Sequence, residues 1–118
     1  MKVMIPMVKP DVYQRVEKTL RVVPRGVVVS YGQLADLSGL PGRARLIGKC
    51  LQELKGEHNW HRVVRADGKI AFPSGSDKAH EQRERLLIEG VIVKNNRISM
   101  QKFGWRPDLH TILTELTY

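Results

Sequence analysis

The sequence predicts a mainly α-helical domain with small β hairpins, of the winged helix-turn-helix-like type. Three observations predict this fold class. Apolar residues recur at helical spacing in several segments, a short Leu40-Pro41-Gly42 turn separates two of these segments, and two β-prone stretches further along each flank a turn dipeptide. Two helices joined by a tight turn and followed by a small hairpin are typical of this class.

Length, charge and hydrophobicity limit the alternatives. The chain has 118 residues, which predicts a single domain over residues 1–118. Lysine and arginine number 20 against 12 aspartate and glutamate residues, so the formal net charge is +8, and 42% of the residues are hydrophobic. The hydrophobic fraction is too high for a disordered polycation such as a histone-like tail, and the positive charge favours a polyanion as the partner.

Two capping pairs mark the first two helices. Asp11 is followed three residues later by Gln14, which predicts a helix start, and Pro24 ends the pattern. The apolar stripe of this first helix consists of Val12, Val16, Leu20 and Val23. Ser30 and Gln33 repeat the capping logic and predict a second helix of about ten residues, with Gly39 as its stop.

The third predicted helix covers Arg43 to Leu54. Its apolar stripe, which we expect to face the core, consists of Leu46, Ile47, Cys50, Leu51 and Leu54. Arg45 and Lys49 fall outside that stripe and give the helix a basic outer face. The second and third helices therefore form a candidate helix-turn-helix, with the third as the recognition helix.

The second half of the chain predicts two hairpins and two further helices. Val63-Val64-Arg65 and Lys69-Ile70-Ala71 flank Asp67-Gly68, and a similar pair of segments flanks Asn95-Asn96, so either hairpin is a candidate wing. Between them a charged helix is predicted from Asp77 to Glu89, anchored by Ala79, Leu86, Leu87 and Ile88. A last helix is predicted from Asp108 to Leu116, where it either caps the core or offers a surface to a partner.

Cysteine, histidine and hydropathy patterns predict a protein with no metal, no cofactor and no membrane span. The only cysteine, Cys50, cannot form an internal disulfide, and the four histidines lack zinc-ligand spacing. No signal peptide and no run of about 20 apolar residues is present. We expect a cytoplasmic protein, nucleoid-associated as in bacteria, or one otherwise intracellular with access to DNA.

Three segments resemble one family in their order and spacing. Together with residues 68–75 and Glu89-Gly90, they are similar to the DNA-binding domain of O6-alkylguanine-DNA alkyltransferases over roughly residues 8–100. The resemblance implies a winged helix-turn-helix-like DNA-binding domain. The segments are Ser30-Tyr31-Gly32-Gln33-Leu34-Ala35, Ala44-Arg45-Leu46-Ile47-Gly48 and Trp60-His61-Arg62-Val63-Val64.

One position departs from the family signature Pro-Cys-His-Arg-Val. Here the chain reads Asn59-Trp60-His61-Arg62-Val63, and an indole supplies no ionisable nucleophile. The sequence thus resembles the alkyltransferase-like proteins, which have tryptophan at the cysteine position. The resemblance implies a non-enzymatic DNA damage sensor that binds O6-alkylguanine in duplex DNA and passes the lesion to nucleotide-excision repair proteins.

The resemblance also assigns DNA-binding residues. Arg45 matches the arginine that enters the base stack through the minor groove and replaces the flipped nucleotide, a task suited to a planar, permanently charged guanidinium. Tyr31 matches the tyrosine that contacts the 3′ phosphate of that nucleotide. Ala44 and Gly48 match small residues that allow close approach to the minor groove, while Arg43 and Lys49 are expected at phosphates. For Leu46, burial in the core and contact with the groove both remain open.

The lesion pocket implied by the resemblance contains four residues. Trp60 is expected to form one wall on which an alkyl group packs. Ser74 matches the serine that approaches the guanine O6 atom, although Pro73 replaces the aromatic residue usual beside it. His61 and Glu89 match the relay that activates the cysteine in the enzymes, and without a cysteine we expect them to form a structural hydrogen bond.

Two other functions stay open from the sequence. The first is a winged-helix transcription regulator that inserts its recognition helix in the major groove and binds a defined sequence. The second is an alkyltransferase that uses another residue, and Cys50, on the apolar stripe, is a poor candidate for that role because a buried cysteine is usually inert. We expect a monomer.

Overall fold

The structure is a computed structural model that describes residues 10–116. It contains six α-helices over this range, together with a two-stranded sheet and a 3-10 turn at Trp60–Arg62. The helices are α1 (Pro10–Val22), α2 (Tyr31–Leu37), α3 (Ala44–Glu53), α4 (Asp77–Ile88), α5 (Met100–Phe103) and α6 (Leu109–Glu115); the strands are β1 (Val29–Ser30) and β2 (Val63–Val64). Within residues 10–116, no helix is both long and apolar enough to cross a membrane.

Helix α1 begins at Pro10, one residue before the predicted start. The prediction that Asp11 caps this helix is therefore wrong. Asp11 lies within the first turn, where its carboxylate still favours the positive end of the helix dipole. Proline fits the first position of a helix because its missing N–H needs no partner there. The predicted stripe is confirmed at Val16, Leu20 and Val23, which are all buried.

Helices α2 and α3 confirm the predicted helix-turn-helix. Ser30 caps α2, since its Oγ atom accepts a hydrogen bond from the backbone N–H of Gln33 at 3.0 Å. The stripe of α3 is anchored by Ile47 and Cys50, which are completely buried in the first core cluster. Leu46 is half-buried and packs against the same cluster, which answers the question left open for this side chain in favour of the core.

The predicted hairpin around Asp67-Gly68 forms only next to its turn, where the N–H of Arg65 donates to the carbonyl of Lys69 at 2.9 Å. Strand β2 itself lies parallel to β1, with Val29 opposite Val63. The turn itself forms, because the N–H of Gly68 donates to the carbonyl of Arg65 at 2.8 Å. Val29, Val63 and Val64 are all buried, and the burial of these apolar side chains favours this pairing over an exposed hairpin.

The second predicted turn forms, but its strands are reduced to single bridges. Asn95 and Asn96 have φ angles of 52° and 59°, as a type I′ turn requires, between the bridged residues Lys94 and Arg97. This turn packs on the first one through the N–H of Ile98, which donates to the carbonyl of Gly68 at 2.9 Å. The two turns thus form one small wing instead of two hairpins.

Helix α4 begins after Ser76, whose Oγ accepts from the N–H of Ala79. Ala79 and Leu86 are buried as predicted, but the prediction that Leu87 and Ile88 anchor the helix is wrong because both are exposed. The buried face of α4 is formed by residues 79, 82 and 86, and Leu87 and Ile88 lie outside that face. The buried position between the two apolar anchors belongs to Gln82.

The end of the chain closes over β1. The N–H of Trp105 donates to the carbonyl of Val28 at 2.8 Å, and the Trp105 side chain packs against the first core cluster. Helix α6 is confirmed, with Asp108 as its cap. Leu116, which follows the last residue of α6, is buried, whereas Leu109 and Leu113 within the helix are exposed.

Candidate nucleic-acid interface

A cavity of about 1100 Å³ opens between the helix-turn-helix, the 3-10 turn and α4. Of the DNA-binding residues predicted from the sequence, four line it, and they come from two helices that are packed against each other. They are Tyr31, Ala44, Arg45 and Gly48. Trp60 lines the same cavity, so the structure brings together residues that are up to 29 positions apart in the chain.

Helix α3 presents its small residues to this cavity. Ala44 and Gly48 are one turn apart, and a Cβ atom added to Gly48 would meet no other atom within 4 Å. Open space in front of a helix backbone allows another molecule to approach closely. Arg45 is exposed beside them, whereas Arg43 and Lys49 are exposed without lining the cavity.

Tyr31 begins α2 and lies half-buried at the edge of the cavity. Burial raises the pKa of its phenol, against a smaller opposing effect of the nearby Arg65 charge. The hydroxyl therefore stays protonated at neutral pH and is available as a hydrogen-bond donor.

Trp60 occupies the first position of the 3-10 turn. Its ring meets the edge of Phe72 at a centroid distance of 6.0 Å and an interplanar angle of 87°. Two cations of α4 lie beside the indole: Lys78 Nζ is 4.2 Å from the ring centroid, and Arg85 Cζ is 5.6 Å from it. The indole wall is thus fixed by an aromatic contact and by two cation–π contacts.

His61 and Glu89 lie behind the cavity wall and do not line it. The Nε2 atom of His61 is 2.6 Å from Oε2 of Glu89, and both side chains are buried. Arg62 donates through Nε to Oε1 at 2.9 Å and through Nη2 to Oε2 at 2.9 Å, and its Nη1 donates to the carbonyl of Val23. This cluster joins the 3-10 turn to the ends of α4 and α1.

The pKa values of the pair agree with a structural ion cluster. Burial alone would raise the pKa of Glu89, but hydrogen bonds from Arg62, His61 and the N–H of Gly26 lower it to about 2. Burial lowers the pKa of His61, and the charges of Arg62 and Arg85 add to this effect, against the opposing effect of Glu89. A neutral His61 beside an ionised Glu89 must carry its hydrogen on Nε2, because a carboxylate only accepts. Its Nδ1 is buried and finds no hydrogen-bond partner in the described part of the chain.

Gln82 is a site residue that the sequence analysis missed. It is buried in α4 and donates through Nε2 to the carbonyl of His61 at 3.0 Å and to that of Val63 at 2.9 Å. These two bonds hold the 3-10 turn that carries Trp60. The sequence gives no sign of this role, because Gln82 lies in a charged helix and its hydrogen-bond partners come from a segment about 20 residues earlier in the chain.

Ser74 is exposed in the turn before α4 and lines a neighbouring cleft of about 510 Å³. That cleft shares Arg65, Ala71 and Phe72 with the main cavity, so Ser74 stands next to the predicted pocket but outside it. Trp60 is the single member of the predicted pocket set that lines the main cavity.

Charge and chemistry of the cavity favour an anionic, partly apolar ligand. Its lining includes the cations Arg45, Arg65, Lys78 and Arg85, against the carboxylates Glu57 and Glu81. His58 also lines it, and burial lowers the pKa of that histidine, which keeps it neutral. Among residues 10–116, no group of three or more histidine, cysteine, aspartate or glutamate side chains is placed to hold a metal ion.

Comparison with known sequences decides the family. The sequence model of the family described as 6-O-methylguanine DNA methyltransferase, DNA binding domain, matches residues 11–91, which is more than half of the chain. The chain belongs to this family. The match covers both helices of the helix-turn-helix, the 3-10 turn with Trp60, and α4.

Proteins similar to this chain differ in length. A protein of Escherichia coli K12 named DNA base-flipping protein is 39% identical over 95 residues, which cover 78% of this chain and 72% of that protein. The crystal structure of Schizosaccharomyces pombe Atl1 in complex with damaged DNA containing O6-carboxymethylguanine matches 86% of this chain and 100% of its own, with a TM-score of 0.76 and 29% identity. Mycobacterium tuberculosis OGT in complex with DNA matches 75% of this chain and 54% of its own, with a TM-score of 0.62 and 33% identity.

Proposed function

We propose that this protein is a non-enzymatic sensor of O6-alkylguanine in duplex DNA. It binds through the minor groove, flips the damaged nucleotide into the cavity between α3 and Trp60, and leaves the alkyl group on the base. The observation that carries the proposal is the position of Trp60, which lines the cavity at the motif position where the enzymes have cysteine. An indole offers a packing surface, but its nitrogen lone pair belongs to the aromatic system and is not available to attack an alkyl group.

In this proposal the basic residues give the protein its affinity for DNA, and Arg45 stabilises the flipped conformation of the damaged nucleotide. Arg43, just before α3, and Lys49, on its exposed face, approach phosphates, while Ala44 and Gly48 let the helix backbone come close to the groove. The Arg45 guanidinium fills the gap left in the base stack. Its position on the cavity rim, one residue from Ala44, supports this role.

An enzyme that uses Cys50 is disfavoured by the burial of that residue. Its side chain is completely buried in the core of α3, and burial raises the pKa of the thiol. A protonated thiol without access to solvent is a poor nucleophile. No observation on the described residues favours a major-groove regulator.

The proposal includes a handover of the lesion to nucleotide-excision repair proteins. Because the protein performs no repair itself, a bound lesion must be passed to a partner that excises it. A single cavity and a single Arg45 suffice for recognition, so the proposed unit is a monomer, located where it has access to DNA.

The test uses two duplexes that differ by one O6-methylguanine. We expect the protein to bind the modified duplex more tightly, and we expect the masses of both protein and DNA to be unchanged after prolonged incubation. A gain of one methyl group by the protein would refute the sensor. Equal affinity for both duplexes, with strong dependence on the base sequence, would indicate the regulator instead.

A further inference from the structure

A charged wall of the cavity lies directly beside Trp60. Lys78, Glu81 and Arg85 lie three and four residues apart on α4, and all three side chains line the cavity. Residues at this spacing share one face of a helix. The sequence motifs single out none of the three, and the flipping mechanism proposed above does not use them.

The cations of this wall lie at the indole itself. Lys78 Nζ is 4.2 Å from the centroid of the Trp60 ring and Arg85 Cζ is 5.6 Å from it, both within the range of a cation–π contact. An uncharged substituent that packs on the indole must therefore displace a cation or lie beside it. A substituent with a negative end can pack and keep the cation in place.

Glu81 neutralises the wall only in part. Its two carboxylate oxygens are 3.5 Å from Lys78 Nζ and 3.4 Å from Arg85 Nη2, so one negative charge is shared between two positive ones. The Lys78 side chain remains 57% exposed. The Lys78 ammonium group makes a long ion pair with a carboxylate that it shares with Arg85, and it is partly exposed. It is therefore available to bind a further anion.

We propose that this wall makes the pocket selective for guanine adducts that end in an acidic group, with Lys78 as the specificity-determining residue. The inference rests on the proposed function, since it concerns the same pocket. Leu51, Leu54 and Phe72 line the cavity and accept the aliphatic part of the adduct. Lys78, backed by Arg85, pairs with its terminal carboxylate.

The test compares four duplexes of one sequence, which carry guanine, O6-methylguanine, O6-(2-hydroxyethyl)guanine or O6-carboxymethylguanine. The hydroxyethyl and carboxymethyl groups have similar size and differ in charge. We expect carboxymethyl binding to be about fivefold tighter than hydroxyethyl binding, as for a partly exposed ion pair. The ratio should decrease as the salt concentration rises.

Lys78→Met keeps the length and the apolar stem of the side chain. We expect it to abolish the carboxymethyl preference, so that the carboxymethyl and hydroxyethyl duplexes bind with equal affinity, and we expect Lys78→Arg to restore the preference. Lys102→Met, on the exposed surface of α5, is the matched control and should keep the preference.

Two results would overturn the inference while the proposed function stands. One is equal binding of the carboxymethyl and hydroxyethyl duplexes by the unmodified protein, with both preferred over guanine. The other is that Lys78→Met weakens the affinity for all four duplexes by the same factor, which would make Lys78 a contact of the DNA phosphates. If no adduct is preferred over guanine, the sensor function itself fails.

Discussion

Arg62 holds Glu89 by two parallel hydrogen bonds, Nε to Oε1 and Nη2 to Oε2, each 2.9 Å long. The two residues are 27 positions apart and belong to the 3-10 turn and the end of α4. Bidentate pairing fixes the orientation as well as the distance between the two segments. Because His61 joins the same carboxylate, the turn that carries Trp60 is anchored to the body of the protein from behind.

The first prediction concerns the acid sensitivity of this cluster. The pKa of Glu89 is lowered from 4.5 to about 2 in the folded protein, so its contribution is present above about pH 4.5 and is lost as the pH falls towards 2. A shift of this size corresponds to roughly 3 kcal/mol of unfolding free energy. The lowered pKa of His61 acts in the same direction, since the unfolded chain takes up a proton below about pH 6.5 that the folded one resists.

Denaturant unfolding at pH 7, 5 and 3 measures this effect. Glu89→Gln should lower the unfolding free energy at pH 7 by about 3 to 5 kcal/mol, because it leaves the buried Arg62 without a charge partner. It should also flatten the pH dependence between pH 5 and 3. Glu17→Gln, which breaks an exposed pair with Arg21, is the control and should have little effect at any pH. A variant with the full pH dependence of the unmodified protein would contradict the prediction.

The second prediction concerns Gln82, whose amide donates to the carbonyls of His61 and Val63. Gln82→Met keeps the volume but removes the donor that Gln82 supplies to these two carbonyls, so we expect a loss of about 1 to 3 kcal/mol of unfolding free energy. We also expect weaker preference for a modified duplex, because the turn under Trp60 loosens. Gln101→Met, at an exposed position of α5, should change neither quantity. If Gln82→Met has the same unfolding free energy as the unmodified protein, the two hydrogen bonds make no net contribution to stability.

Local patterns predicted much of this fold. The cap at Ser30, the last helix after Asp108 and the α3 stripe at Ile47 and Cys50 depend on residues close in sequence, and the structure confirms them. The parallel pairing of Val29 with Val63 could not be predicted, because two-residue strands have no period and their partners are 34 positions apart. The exposure of Leu87 and Ile88 was missed since four apolar residues on a short helix do not define which face is buried.

The candidate site was predictable where a family motif marks it. Tyr31, Arg45 and Trp60 were assigned by resemblance, and the structure places them around one cavity. The charged wall of Lys78 and Arg85 was not assigned, because charged residues on a helix usually face solvent and only the tertiary position of Trp60 gives them a second contact.

The third prediction concerns Arg45 on the rim of the cavity. If its guanidinium replaces the flipped nucleotide, Arg45→Ala should weaken binding to an O6-methylguanine duplex by about 1 to 3 kcal/mol and affect an unmodified duplex less. Arg43→Ala is the matched control, since Arg43 lies outside the cavity and is expected at a phosphate. That control should weaken both duplexes by similar factors. An equal loss on both duplexes for Arg45→Ala would make Arg45 a phosphate contact as well.

The last prediction separates the two properties of Trp60, its ring surface and its position in the fold. The indole is half-buried, and its ring contacts come from Phe72, His61 and the cations of α4. Trp60→Ala removes the surface on which a base adduct packs, and aromatic stacking on a base contributes roughly 1 to 3 kcal/mol. We therefore expect the preference for alkylated over normal guanine to decrease by about tenfold or more, most strongly for bulky adducts.

Trp60→Phe is the control for this change, because it keeps an aromatic ring of smaller area. It should retain part of the preference, and its affinity for the unmodified duplex should equal that of the unmodified protein. The measurement is a fluorescence-anisotropy titration of labelled methyl, benzyl and unmodified duplexes, with unfolding curves to show that each variant is folded. If Trp60→Ala binds all three duplexes as the unmodified protein does, the adduct lies elsewhere, and the cleft beside Ser74 becomes the site to test next.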